Sequence, residues 1–140
     1  MGKKLVVIGQ GAELEYLKSI AGSTIEILGR QSDEVVRDYY RRCKALIFPG
    51  EEDFGMIPLE VQACGRPVIA YGRGGALETV IDGKTGVFFD EQRVDSLVDG
   101  MKRLDDCMIS SQNCRENAIK FSSNIFLDKI RDYIYKCIEE

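Results

Sequence analysis

The stretch that decides the fold is EEDFGMIPLEVQACGRPVIAYGRGG, Glu51–Gly75. An acidic turn containing Gly55 runs into PLEVQACG, with Pro58 near the first helical position and Gly65 just past the last. Proline inside the start and glycine beyond the end mark a short helix. PVIAYG then follows as an apolar run of strand length, and Gly72–Gly75 opens a further turn. Within this span, Glu52 and Glu60 stand on either side of the glycine turn, eight positions apart.

The same alternation extends in both directions. Upstream, KLVVIG (Lys3–Gly9), TIEILG (Thr24–Gly29) and ALIFPG (Ala45–Gly50) read as strands, the first of them buried. Between them lie AELEYLKSIA (Ala12–Ala21), with Leu14, Leu17 and Ile20 on one helical face, and SDEVVRDYYRRC (Ser32–Cys43). The latter has an N-cap serine, acids in its first turn and arginines near its end, the order that a helix dipole favours. Downstream, GALETVIDG is a short helix and TGVFFD a fifth strand. Arg93–Asp106 and Ser110–Glu140 are helical, the second in two pieces broken near Phe121–Asn124. Strands alternating with helices predict an α/β fold: a doubly wound parallel sheet, Rossmann-like or flavodoxin-like, of about five strands with helices on both faces. With no linker or repeat, residues 1–140 read as a single domain.

Composition narrows the function. A net charge of −4 offers no general attraction to nucleic acid or to an anionic surface, so an anionic ligand must be held by local geometry. There is no apolar run of membrane-spanning length, and Met1–Lys4 leads straight into LVVIG without a signal-peptide core; the expected setting is cytoplasmic. Five widely spaced cysteines without a C-x-x-C pattern fit reduced thiols. Histidine is absent, which removes the commonest zinc ligand and any Ser-His-Asp triad within the chain.

In open parallel sheets, ligands bind outside the carboxyl ends of the strands. The loops to inspect are therefore Gly9–Ala12, Gly29–Asp33, Pro49–Pro58, Gly72–Ala76 and Asp90–Arg93. Gly9 and Gly11 form G-x-G after a strand, but Leu14 occupies the third glycine position of a dinucleotide fingerprint and no acid closes the second strand. A receiver-like phosphoacceptor would need an aspartate where the third strand ends in Phe48-Pro49-Gly50. The Pro49–Glu60 loop carries more: glycines that let amides approach a ligand, and a helix start that favours an anion. Carboxylates accept hydrogen bonds from sugar hydroxyls while amides hold phosphate, a combination suited to a nucleotide sugar.

EDFGMIPLE resembles the E-x7-E motif of the retaining, GT-B-fold glycosyltransferases of family 4, and VQACGRPVIAYGRGGALETVIDGKTGVFF resembles that family's continuation. Upstream, LVVIGQGAELEYLKSIAGSTIEILGRQSDEVVRDYYRRCKALIFPG is similar segment by segment, so the likeness covers essentially the whole chain. It implies the carboxyl-terminal, nucleotide-sugar-binding domain of a metal-independent hexosyltransferase in glycan or glycolipid synthesis. Glu60 would hold the donor ribose, and Glu52, the catalytic candidate, would lie near the transferred sugar and its phosphates. The amides of Phe54, Gly55, Met56 and Ile57 would contact sugar hydroxyls and diphosphate. Arg30 or Gln31 would border the base, Gly9 and Gly11 would line the cleft, and Glu78 would help to hold the Gly74-Gly75 turn. The donor would be a UDP-, GDP- or ADP-sugar, with no cofactor and no metal.

The likeness also implies a partner: an amino-terminal, acceptor-binding domain, in a parent enzyme that can be membrane-peripheral. Relative to the family, the chain lacks the first strand-helix unit with its basic diphosphate clamp, and Arg42–Lys44 lies at the wrong end of a strand to replace it. Closing that gap predicts the flavodoxin-like strand order 2-1-3-4-5, with LVVIG paired directly to ALIFP. The isolated chain is then expected to bind nucleotide weakly and to turn over little. The alternative is a non-catalytic, flavodoxin-like binding module.

Overall fold

The glycine and proline punctuation is realised as a series of short parallel strands joined by helices. The computed structural model describes residues 2–139, and they fall into two compact units, Met1–Tyr39 and Tyr40–Glu140.

The first unit contains β1 (Leu5–Ile8), α1 (Leu14–Ile20) and β2 (Ile25–Gly29), and most of α2 (Asp33–Arg42), which continues into the second. β1 and β2 pair in parallel from Leu5↔Ile25 to Ile8↔Gly29, with a register irregularity at Val7/Ile8. β1 was expected to be buried, yet no residue of this unit falls below the level of partial burial, and Leu5 and Ile25 are each 37% exposed. Two strands are too few to enclose one another.

The second unit holds β3 (Leu46–Phe48), α3 (Met56–Ala63), β4 (Val68–Tyr71), α4 (Ala76–Thr79), β5 (Gly86–Phe89), α5 (Val94–Asp106), α6 (Ser111–Ile119) and α7 (Ser123–Glu139). The three strands pair in parallel in the order β3-β4-β5, Leu46 opposite Val68 and Val68 opposite Gly86. Their side chains alternate with the strand period of two. Leu46, Phe48, Val68, Ala70 and Phe88 pack with Ala76 and Val80 on one face. Ile47, Ile69, Tyr71, Val87 and Phe89 pack with Leu97, Met101 and Leu104 of α5 on the other. Full burial of such side chains contributes about 1.5–3 kcal/mol each, so this sheet carries the core.

The five parallel strands and the flanking helices match the expected class, and the last helical stretch breaks where the sequence predicted. The direct pairing of LVVIG with ALIFP is not found. Among the described residues β1 pairs with β2 alone and β3 with β4 alone, so the strands form two sheets rather than one. β1 and β3 each carry one partner strand, and neither the four residues of β1 nor the three of β3 hold a side-chain pattern that specifies a ladder between them. All five cysteines are free thiols. No helix among the described residues is long and apolar enough to cross a membrane.

At β5 the strands approach so closely that a Cβ on Gly86 would lie 2.2 Å from the Val68 carbonyl oxygen and 2.8 Å from Val80 Cγ1. Backbone cannot yield there without breaking the β4–β5 ladder. Gly86→Ala is therefore expected to lower stability by roughly 1–3 kcal/mol, the usual cost of overpacking. Urea denaturation checks this, and a midpoint equal to that of the wild type would show that the ladder is looser than the structure has it.

Candidate functional site

The loops at the carboxyl ends of β3, β4 and β5 are tied together by backbone. Gly75 N–H donates to the Glu52 carbonyl at 2.6 Å, and Gly72 N–H to the Phe89 carbonyl at 3.0 Å. Gln92 Nε2 donates to the Pro49 carbonyl at 2.8 Å. The contact between the first two loops leaves no room for side chains: a Cβ on Gly75 would sit 2.4 Å from the Phe54 carbonyl carbon, and one on Gly74 would sit 2.5 Å from the Glu52 carbonyl oxygen. Gly74 and Gly75 are thus required by close approach.

Gly55 ends this loop in the left-handed region (φ +79°) and is the N-cap of α3. That conformation turns the chain so that Phe54–Ile57 present their N–H groups at the helix start, where Pro58 has none to offer. Among the described residues none of these four amides has a hydrogen-bond partner. Gly55 is buried; Glu52, Phe54, Met56, Ile57 and Glu60 are exposed. The Phe54 ring packs edge-on against Phe121, their centroids 6.4 Å apart. The helix ends as the sequence predicted, with Gly65 (φ +79°) donating to the Gln62 carbonyl and Arg66 N–H to the Val61 carbonyl, at 2.8 and 3.1 Å.

Behind the turn lies a buried polar cluster that the sequence reading missed. Gln62 Nε2 donates to the Thr79 carbonyl at 2.9 Å. Asn117 Nδ2 donates to Gln62 Oε1 at 2.8 Å and to the same carbonyl at 2.9 Å. Thr79 Oγ1 in turn donates to the Gly75 carbonyl at 3.0 Å. Glu78 contributes only its backbone N–H to that carbonyl, at 3.1 Å, so the side chain that holds the Gly74-Gly75 turn is one residue further on. A second polar residue, Gln62, set between Val61 and Ala63 in PLEVQA was the one available signal.

Glu60 faces the end of α2. Burial first, and then the Glu60 carboxylate with the Cys64 and Cys43 thiols, holds the Tyr40 phenol neutral, pushing its pKa up to about 12. Burial also pushes the Cys43 thiol up, against the pull of Arg66.

The remaining predicted residues belong to the first unit. Gly9 N–H donates to the Gly29 carbonyl at 2.9 Å, joining the loops that follow β1 and β2. Gly11 accepts from Leu14 N–H at 3.2 Å, and Gln31 Nε2 donates to the Leu28 carbonyl at 2.8 Å. Arg30 is exposed. The structure thus gathers Gly9, Gly11, Arg30 and Gln31 beyond their two strands, and Glu52, Phe54–Ile57 and Glu60 beyond β3. Among the described residues no three acidic or cysteine side chains cluster in a way that could hold a metal ion.

The chain is similar to proteins of one known family. The profile of a family described as "Glycosyl transferases group 1" matches residues 3–121. An uncharacterised glycosyltransferase of Methanocaldococcus jannaschii is 34% identical over 119 residues, 84% of this chain and 34% of that protein. The apo form of the lipopolysaccharide outer core galactosyltransferase WaaB superposes with a TM-score of 0.82 at 20% identity, over 95% of this chain and 40% of that one. Anabaena HepE in complex with UDP-glucose gives 0.73 at 19% identity, over 95% and 41%. The fold is thus of the GT-B, Rossmann-like type, and the chain spans about a third of that curated relative and about two fifths of those solved chains.

The Tyr40 environment has a measurable sign. A phenol held above its ordinary value of 10.0 contributes stability that is complete below that pH and lost as pH rises through about 12. Ultraviolet titration is expected to show a tyrosinate step near 12 that Tyr40→Phe abolishes. Persistence of the step in that variant would assign it to another residue.

Proposed function

The chain belongs to the group 1 glycosyl transferases, and from that premise we propose that it forms the donor-binding part of a retaining enzyme that moves a hexose from a nucleoside diphosphate to an acceptor hydroxyl. The observation that carries this reading is the locked turn. Unpartnered amides of Phe54–Ile57 stand at a helix start, held from behind by Gly75 and flanked by two exposed carboxylates. Such amides suit a diphosphate, which the helix dipole also favours, and Glu52 and Glu60 can accept from hydroxyls.

In this reading Glu60 takes the ribose hydroxyls and Glu52 lies by the transferred sugar. The family resemblance gives Gly9, Gly11, Arg30 and Gln31 the roles on the base side. The bond between the anomeric carbon and the diphosphate oxygen breaks, and the acceptor oxygen bonds to the same face. The acceptor's proton passes to the departing diphosphate. The protein's share is positioning and charge stabilisation, for which preorganised amides are well suited. No metal is invoked. The solved relative with UDP-glucose bound supports a uridine donor as one candidate. In the same reading the acceptor is bound by an amino-terminal domain of the family, and residues 1–140 by themselves bind donor and turn over little.

Calorimetric titration with UDP, GDP, ADP and NADH tests this, alongside Glu60→Ala. Binding of one diphosphate, weakened roughly tenfold or more in the variant as expected for lost hydrogen bonds to a charged group, would support the reading and identify the base. Binding of NADH alone would replace it with a dinucleotide site. No binding by any of them would reduce the chain to a module that has the fold without the ligand.

A further inference from the structure

The end of the second unit opposite the donor loops holds a different kind of cavity. It has a volume of about 350 Å³ and is lined by Arg41, Ala63, Cys64, Arg66, Ser111 and Arg115. Arg41 lies in the last turn of α2, Arg66 just before β4 and Arg115 on α6. The cavity therefore sits at the amino-terminal side of the sheet, while Glu52 and the Phe54–Ile57 amides lie beyond the carboxyl end of β3.

Two of the guanidinium groups are held in place. Arg66 donates through Nε and Nη2 to the Arg41 carbonyl at 2.9 and 2.6 Å. Arg115 Nη2 reaches the Cys64 carbonyl at 3.4 Å, and its guanidinium lies against Gly65 so closely that a Cβ there would be 2.7 Å from Cζ. These bonds cap the carbonyl ends of α2 and α3 and explain why arginines stand here. They do not consume them. A guanidinium has five N–H donors; Arg66 uses two and Arg115 one. Arg41's side chain has no partner among the described residues.

Among the described residues no carboxylate is paired with any of the three charges. Among the described residues Arg41, Arg66 and Arg115 form no ion pair, whereas Arg93, Arg103 and Arg131 each pair with an aspartate. That is unexpected in a chain with 23 acidic residues against 19 basic ones. Like charges converging on one cavity repel each other unless an anion enters it. Ser111, one turn before Arg115, opens α6 and lines the same cavity; the cap of that helix is Ser110, accepting from Asn113 N–H at 3.0 Å. The helix start adds a hydroxyl, amides and a favourable dipole to the same space.

We propose that this cavity is a second anion site, one that takes a phosphate group. Three planar, forked donors match phosphate oxygens better than they match a single carboxylate. The phosphate can belong to a small soluble phosphorylated molecule or to the headgroup of an anionic lipid. The site is separate from the donor loops and does not depend on the donor reading.

The test uses the full chain and its Arg41→Gln/Arg115→Gln double variant, leaving Arg66 to cap α2. Titration with inorganic phosphate, followed by amide chemical shifts, is expected to perturb Cys64–Arg66 and Ser111–Asn113. The double variant should bind roughly a hundredfold more weakly, about tenfold for each charged hydrogen-bond donor lost. An unchanged thermal melt would show that the variant is folded. If it is not, Arg41→Gln alone, at an exposed position, carries the comparison. Co-sedimentation with phosphatidylcholine vesicles with and without phosphatidic acid separates the sources. Retention on the acidic vesicles that the variant loses marks a lipid headgroup, and phosphate binding without retention marks a soluble ligand. Shifts confined to Phe54–Ile57, equal affinity in the folded variant, or no phosphate binding at all would overturn the proposal.

Discussion

Thr79 stands where three helices meet, and its two ends face different tasks. Its carbonyl accepts the amide groups of Gln62 from α3 and Asn117 from α6, while its hydroxyl reaches forward to the Gly75 carbonyl. Gly75 then holds the Glu52 carbonyl through its own N–H. A continuous line of hydrogen bonds thus runs from a fully buried amide to the exposed loop that carries the acidic pair. Each link is costly to break, because an amide left unsatisfied in a buried site costs about 1–3 kcal/mol. Among the described residues none is left so. The loop can be exposed and still keep one shape because its anchor lies in the core.

The same constraint explains the glycines. A loop fixed by backbone contact rather than by side chains must bring two chains within van der Waals distance, and at Gly74 and Gly75 any Cβ would overlap the neighbouring carbonyl. The reward is that amide groups, not mobile side chains, define the surface where the donor is proposed to bind. Such groups need no reorganisation when charge shifts on a bound diphosphate, which is where preorganised donors are most effective. A sequence that must spend its glycines in pairs at a strand end is therefore declaring a close approach, not a flexible joint.

Much of this was legible in the chain. Short apolar runs bounded by glycine, proline or aspartate named every strand, and the proline and glycine around PLEVQACG placed α3 to within a turn, because these signals are local. What failed was non-local. LVVIG and ALIFP look like natural partners, but which parallel strands pair is decided by the whole topology, and the two runs lie in separate sheets. Gln62 and Asn117 read as ordinary polar residues on helices until their burial is seen. For the Gly74-Gly75 turn the family resemblance named Glu78, whereas the structure uses the hydroxyl of Thr79. The hydroxyl wins because its position faces the core, where a charge would be desolvated at far greater cost.

Electrostatics divides the second unit in a way that composition hides. An acidic chain should repel anions everywhere, yet the sheet's two ends are built differently. At the carboxyl ends of the strands, amides and a helix start provide positive potential without a formal charge, and the two carboxylates of the proposed donor site stand beside them. At the amino end, Arg66 and Arg115 bind the negative ends of α2 and α3 respectively and, with Arg41, leave positive charge in excess. Helix dipoles favour this polarity: in a parallel α/β layer each crossover helix starts by the carboxyl ends of the strands and finishes by their amino ends. Arginines gathered by the helix ends are thus a by-product of the fold, and the absence of balancing carboxylates is what turns that by-product into a site.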